Sequence, residues 1–283
     1  MRILSIQSSV AYGHVGNSAA TFPLQRLGHE VWPVPTVVFS NHTGYGAWRG
    51  PLLGPDDVRE VITGIADRGV LPTCDVVLSG YLGGPGICSV VVAAVALVKA
   101  ANPLATYTCD PVIGNAASGC FVDPAIPPIL REQVVPVADV ITPNQFELGF
   151  LTDSSPDSLE STLESADAAR ALGPATVLVT SMLRPGRPED TIEMLAVTEE
   201  GAWSVRTPRL RTKVNGSGDL TAALFTAHLA QTGSAADALA ATASSVYGVL
   251  SATLESGEGE LQIVAAQDVI AHPGREFAVE QVR

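Results

Sequence analysis

The chain has 283 residues, 46% of them hydrophobic and 16% charged, ample apolar material for a large buried core. Its formal net charge of −13 argues against a nucleic-acid partner, whose phosphates require clustered Lys and Arg. An anionic ligand would have to be held locally, by metal ions, helix N-termini or a few placed side chains.

No linker-like tract or internal repeat divides the sequence, so one domain over 1–283 is expected. The start, "MRILSIQSSV", reads as a strand interrupted by Ser and Gln, not as a signal-peptide core. The longest apolar run, Ile87 to Val98, is about half of the ~20 residues a membrane span needs, and reads as a buried helix. Cys74, Cys88, Cys109 and Cys120 show no CxxC or metal-like spacing and suit reduced thiols of a cytoplasmic protein.

Short β-like runs alternate with longer helical patterns. The strands expected are Ile3–Gln7, Val31–Pro35, Asp75–Ser79, Ala105–Cys109, Val137–Thr142 and Thr176–Thr180, then a hairpin of Met194–Val197 and Ala202–Val205 around "TEEG". The helices expected are Asn17–Leu27, Pro55–Arg68, Gly86–Ala101, Pro124–Gln133, Leu159–Leu172, Gly218–Gln231 and Ala235–Leu254, with Asn17 as an N-cap and Gly28 as a C′ residue. This alternation predicts a mostly parallel sheet with helices on both faces. Ligands of such sheets sit at the carboxyl ends of the strands.

The first strand leads into "QSSVAYGHVGNSAA", where Ser8 and Ser9 offer hydroxyls to a pocket or to a turn. A dinucleotide fingerprint is absent, because the GxGxxG spacing is incomplete and no acid follows the second strand. The second strand leads into "TVVFSNHTGYGAW". Its aromatics Phe39, Tyr45 and Trp48, with Ser40, Asn41, His42, Thr43, Gly44 and Gly46, suit a loop closing over a flat polar molecule. Tyr81 in "SGYLGGPG" projects from the third strand end. The fourth ends on Asp110, able to bind a hydrated cation or orient a reacting group. The fifth is followed by Thr142, Asn144 and Glu147. The last two are three apart, which suits one helix face and the water shell of Mg²⁺, or a helix cap. The sixth ends on Thr180 and Ser181, hydroxyls for phosphate oxygens or plain loop residues.

"NGSGD" precedes an apolar helical pattern at Leu220, Ala223, Leu224 and Ala227. Gly216, Ser217 and Gly218 leave the first-turn amides open to an anion. Asp219 would repel that anion, which makes sense if the carboxylate takes a proton from an attacking hydroxyl. The pattern is not a Walker A loop, which needs GxxxxGK[ST].

Taken together, "ILSIQSSVAYGHVGNSAA", "FSNHTGYG", "LSGYLG", "CDPVIG", "ITPNQFEL", "NGSGD" and "LQIVAAQDVIA" resemble the ribokinase superfamily and, within it, the pyridoxal kinases. The likeness runs in order along nearly the whole chain. It implies a ribokinase-like three-layer α/β/α sandwich and phosphoryl transfer from ATP, with Mg²⁺, to the 5′-hydroxymethyl group of pyridoxal, with pyridoxine and pyridoxamine as further acceptors. It places Ser8, Phe39, His42, Thr43, Gly44 and Tyr81 around the vitamer. It makes Asp219 the base and Gly216, Ser217 and Gly218 the anion hole. Asp110, Thr142, Asn144, Glu147, Thr180, Ser181, Thr207, Pro208, Arg209 and Leu210 fall to the nucleotide, with Asp110 and Glu147 near the metal through water. A homodimer and a K⁺ ion are implied as well. The chain departs from some relatives in carrying Thr180 where they have Lys, and in a short segment over 207–214. Arg209, Arg211 and Lys213 there suit ATP or a solvated loop. The rival readings are a hydroxymethylpyrimidine or sugar kinase of the same superfamily, and a vitamer-binding protein without turnover.

Overall fold

The computed structural model describes residues 1–211 and 214–283. In chain order the strands are β1 (Arg2–Tyr12), β2 (Glu30–Asn41), β3 (Val76–Ser79), β4 (Thr106–Cys109), β5 (Gly114–Asn115), β6 (Gly119–Cys120), β7 (Val140–Ile141), β8 (Thr176–Met182), β9 (Thr191–Val197), β10 (Ala202–Pro208) and β11 (Val279–Gln281). The helices are α1 (Asn17–Arg26), α2 (Pro55–Ala66), α3 (Pro85–Ala101), α4 (Ile126–Ile129), α5 (Gln145–Thr152), α6 (Leu159–Arg170), α7 (Ser217–Thr232), α8 (Ala235–Ser256) and α9 (Gln267–Ala271).

Nine strands form one sheet in the order β11-β10-β9-β8-β7-β4-β3-β1-β2. From β2 to β8 the pairings are parallel, and β8 to β11 are antiparallel. Period-two alternation splits each buried strand between two helical layers. On β1, Ile3 packs with Leu24 of α1 and Ala223 of α7, while Leu4 and Ile6 join Val58 of α2 and Val91 of α3. On β8, Leu178 meets Phe225 of α7, and Val177 and Val179 face the other layer. The expected three-layer arrangement is what the chain forms.

The differences from the sequence expectations have local causes. β1 and β2 outrun the other strands and pair with each other as far as Tyr12↔Asn41. Residues 8–12 and 36–41, expected as loops, are therefore strand. Asn17 does not cap α1; Gly16 holds the cap position. The buried Asn17 amide instead donates to Gln7 O at 3.1 Å and Val34 O at 3.2 Å, tying β1 to β2. Gly28 does follow α1 with φ +85°. The helix expected over Pro124–Gln133 is only four α-helical residues, with two prolines in it, running into a π-turn at Leu130–Val134. The β5–β6 hairpin and edge strand β11 are too short to leave a period-two signal.

Helix α7 is the central strut, buried at every position from Leu220 to Ala227. Phe225→Ala should lower the unfolding free energy by about 3–5 kcal/mol. Urea denaturation followed by circular dichroism checks this, and a loss under about 1 kcal/mol would contradict the packing described.

Candidate active site

Two clefts lie side by side at the carboxyl edge of the parallel strands, with volumes of about 300 and 120 Å³. Both are lined by Thr180 and Ser181 from β8 and by Ser217 and Gly218 from the start of α7. The first turn of α7 is thus the partition between them.

That turn begins at Gly216, whose φ of +88° and ψ of −6° are left-handed. A Cβ there would also collide with the carbonyl oxygen of His14. Glycine is needed on both counts. A Cβ on Gly218 would meet only open space, so backbone is presented there without cover. The first-turn amides have no intrahelical acceptors and carry the positive end of the helix dipole.

Asp219 sits in the same turn. Burial raises its pKa to about 6, against the opposing pull of backbone N–H groups of Gly16 and of Asp219 itself. Asp110, at the end of β4, is buried. Its pKa is pushed well up by burial and then by the negative charges of Glu147 and Asp219. Thr142 Oγ1 donates to its Oδ1 at 3.1 Å. Glu147 is raised to about 7, again chiefly by burial. Its Oε1 accepts from the N–H groups of Ile113 at 3.0 Å and Gly114 at 3.3 Å, and its Oε2 from Asn144 N–H at 3.0 Å. The Asn144 side chain caps α5 by accepting from Glu147 N–H at 3.0 Å, so the pair is a reciprocal capping box. The same box orders the β5 hairpin, because Asn144 Nδ2 donates to Gly114 O at 2.8 Å.

Three clustered carboxylates, of which Asp110 and Glu147 are raised further by neighbouring negative charge, suit a cation among them. Among the described residues, no group of three His, Cys, Asp or Glu is placed to hold a metal by itself. The oxygen donors present fit a hydrated divalent cation that keeps most of its water. Asp110 has the freer carboxylate, since both oxygens of Glu147 already accept backbone N–H groups.

The site residues implied by the family resemblance all lie on one of the two clefts. The larger is lined by Ser8, Phe39, His42, Thr43, Gly44, Tyr81, Asp110, Thr142, Asn144, Glu147, Gly216 and Asp219, besides the shared partition. Thr207, Pro208, Arg209 and Leu210 line the smaller one. Lys213 lies outside the described residues, and Arg211 is exposed. Ser8 falls at a register shift between Gln7 and Ser9, where a bulge re-aims side chains. Ser181 has a φ of +56°, unusual for a residue with a Cβ, at the junction of the clefts.

Two expectations change. Tyr45 and Trp48 do not line either cleft; they back the residues that do. Tyr45 stacks on His42 at 4.5 Å, and Trp48 lies tilted against Phe39 at 5.9 Å. Sequence reasoning also missed Asn115, Phe121 and Asn215 on the larger cleft, and Val246, Tyr247 and Leu250 of α8 on the smaller one. The α8 residues belong to an ordinary amphipathic pattern, which reads as core. Glu260 was missed too. It accepts from the Tyr45 hydroxyl at 2.6 Å and pairs with His42 Nε2 at 2.9 Å.

Comparison with known proteins shows the family. Residues 67–264 match the model of the phosphomethylpyrimidine kinase family. Pyridoxal kinase PdxY of Leifsonia xyli subsp. xyli is 70% identical over 282 residues, covering 100% of both chains. The chain belongs to the pyridoxal kinase family. PdxY of Corynebacterium diphtheriae is 60% identical, again over 100% of both chains. The structure of Leishmania donovani pyridoxal kinase in complex with ADP and pyridoxamine is similar at a TM-score of 0.93 and 28% identity, covering 100% of this chain and 99% of that one. As a member of this family the chain is a kinase. Among the described residues no helix is long and apolar enough to cross a membrane.

The carboxylate cluster has a measurable consequence for stability. A carboxyl whose pKa is raised by folding favours the folded state at low pH, and that advantage is lost as pH rises from the unfolded to the folded value. For Asp219 the window runs from 3.8 to about 6, and for Glu147 from 4.5 to about 7. Asp110→Asn, which removes a like charge from this cluster, should raise the melting temperature of the ligand-free protein at pH 8 by at least about 2 °C. The gain should vanish at pH 5. Calorimetry at the two pH values checks both, and equal or lower melting at pH 8 would contradict the account.

Proposed function

We propose that this kinase transfers the γ-phosphoryl group of ATP to the 5′-hydroxyl of pyridoxal, and also accepts pyridoxine and pyridoxamine. The observation that carries the reading is the position of Asp219. It stands in the glycine-rich first turn of α7, which separates a larger cleft with an aromatic and hydroxyl-bearing wall from a smaller, partly apolar one. The larger cleft suits a flat, polar pyridine ring. The smaller one suits a nucleoside, with the polyphosphate crossing the partition. The similarity to pyridoxal kinases supports both assignments.

In this reading Ser8, Phe39, His42, Thr43, Gly44 and Tyr81 hold the vitamer with its 5′-hydroxyl toward Asp219. Thr207, Pro208, Arg209 and Leu210 flank the nucleoside, while Thr180 and Ser181 meet phosphate oxygens. The Asp219 carboxylate accepts the hydroxyl proton as the oxygen attacks the γ-phosphorus. The bond from that phosphorus to the β-γ bridging oxygen breaks, and ADP leaves. Amides over Gly216, Ser217 and Gly218 hold the transferring phosphoryl oxygens in place, which costs no reorganisation at the moment of reaction. Asp110 and, through water, Glu147 would hold Mg²⁺ with the nucleotide, its charge neutralising phosphate oxygens. Thr142 keeps Asp110 oriented, and Asn144 keeps Glu147 so. The reading takes residues 1–283 as one catalytic domain acting as a homodimer in the cytoplasm. Four free cysteines, three of them buried, support a reducing compartment.

A base works only when deprotonated, so kcat should rise with pH through the Asp219 pKa of about 6 and then level off. Asp219→Asn and Asp219→Ala should each lower kcat by about 10²–10⁴ while leaving the circular dichroism spectrum unchanged. A coupled ADP-release assay in Mg²⁺ and K⁺, run across pyridoxal, pyridoxine, pyridoxamine and hydroxymethylpyrimidine, measures all of this. Near-normal turnover in Asp219→Ala would remove the base assignment. A preference for hydroxymethylpyrimidine would replace the substrate.

A further inference from the structure

Glu260 lies in the segment after α8, more than two hundred residues along the chain from the cleft wall it supports. Its side chain is 9% exposed. It gathers three donors from two other segments: the Tyr45 hydroxyl and His42 Nε2 on Oε1, and the His14 backbone N–H, at 3.1 Å, on Oε2. Gly13, at φ +89°, passes so close that a Cβ would collide with the carboxylate. The strand end is shaped to admit this acid. A site built for packing alone would be filled as stably by apolar side chains in place of the acid and its partners together, since a buried charged group with its partners is rarely the most stable choice. The acid therefore calls for a role beyond packing.

Its effect falls on the far side of the His42 ring. A carboxylate can only accept, so the nitrogen it pairs with, Nε2, carries a hydrogen. Nδ1 is then the ring atom left for a ligand. It is buried and has no hydrogen-bond partner among the described residues. It lies on the side of Gly44, which, like His42, lines the larger cleft. Tyr45 stacks on the ring at 4.5 Å and 24°, and Glu260 holds that tyrosine as well, so the ring plane is held from two directions. A buried nitrogen without a partner is expensive, and a polar substituent of a bound ring would relieve it.

We infer that Glu260 is a positioning residue for the vitamer: it fixes His42 and Tyr45 so that Nδ1 of His42 meets a polar substituent of the pyridine ring. The inference rests on the larger cleft being the vitamer site. Glu260 touches neither ATP nor the reacting atoms, so its loss must appear in one kinetic constant and not in the others.

The test is a double-mutant cycle with Glu260→Ala and His42→Ala. Glu260→Ala should raise KM for pyridoxal about tenfold, leave KM for ATP within about twofold and leave kcat within about threefold. In the His42→Ala background the same change should add less than about twofold, because the residue it acts through is gone. Glu260→Gln keeps an acceptor for Nε2–H, so its KM for pyridoxal should return to within about threefold of wild type. It also serves as the reading where the alanine variant fails to fold. Losses that multiply, an ATP KM that rises in step, or a glutamine variant as impaired as the alanine one would each overturn the role. A wild-type chain that turns over ATP but leaves pyridoxal untouched would overturn the function and this inference together.

Discussion

Helix α7 has to satisfy two opposed demands. Its body is buried from Leu220 to Ala227 between the sheet and α1 and α8, yet its first turn must present bare backbone to a ligand. The left-handed Gly216, packed on the His14 carbonyl, resolves the conflict. It lets the chain arrive from outside, turn sharply and enter the helix with its amides aimed at the partition between two clefts. The same contact joins the end of β1 to the start of α7, so both walls of the larger cleft are set by one packing interaction.

The fold was legible where it depends on local pattern. Parallel strands, covering helices and the location of the site at their carboxyl ends follow from alternation and length alone. Motif-bearing residues were legible too, because they mark element ends: Asp110 and Thr142 directly follow β4 and β7, Thr180 lies near the end of β8, and the turn at 216–219 opens α7. What escaped was set by contacts distant in sequence. The length of β1 and β2 depends on their pairing with each other beyond the rest of the sheet. Asn17 looks like a cap in sequence, but its amide is claimed by two carbonyls, of Gln7 and Val34. Glu260 sits in an acidic, glycine-bearing stretch that resembles a solvated turn, and only the fold brings His42 and Tyr45 to it. Tyr45 and Trp48 were rightly tied to the cleft wall but placed one layer too far forward.

The larger cleft gathers carboxylates whose charged forms are disfavoured by their surroundings. Asp110, Glu147 and Asp219 are each raised by burial, and neighbouring charge adds to it at Asp110 and Glu147. In a chain of net charge −13 no surrounding excess of basic residues offsets this. The site is thus poised for cations and for the phosphates that bring them, and stability is given up for that readiness. Backbone amides at α7 and the capping box of α5 moderate the penalty without neutralising the carboxylates, which keeps Asp219 within reach of deprotonation near neutral pH.

The outer edge of β2 sets a limit of a different kind. Pro33 and Pro35 remove two of its donors, and the prolines are tolerated because this strand ends the sheet. Farther along, the chain doubles back on the same edge: Val38 N–H donates to Pro51 O and Leu53 N–H to Thr36 O. No continuous row of donors is left for another strand. The opposite edge, β11, is three residues long. Both edges are thus poor templates for adding a strand from another copy, which guards the nine-stranded sheet against runaway strand addition.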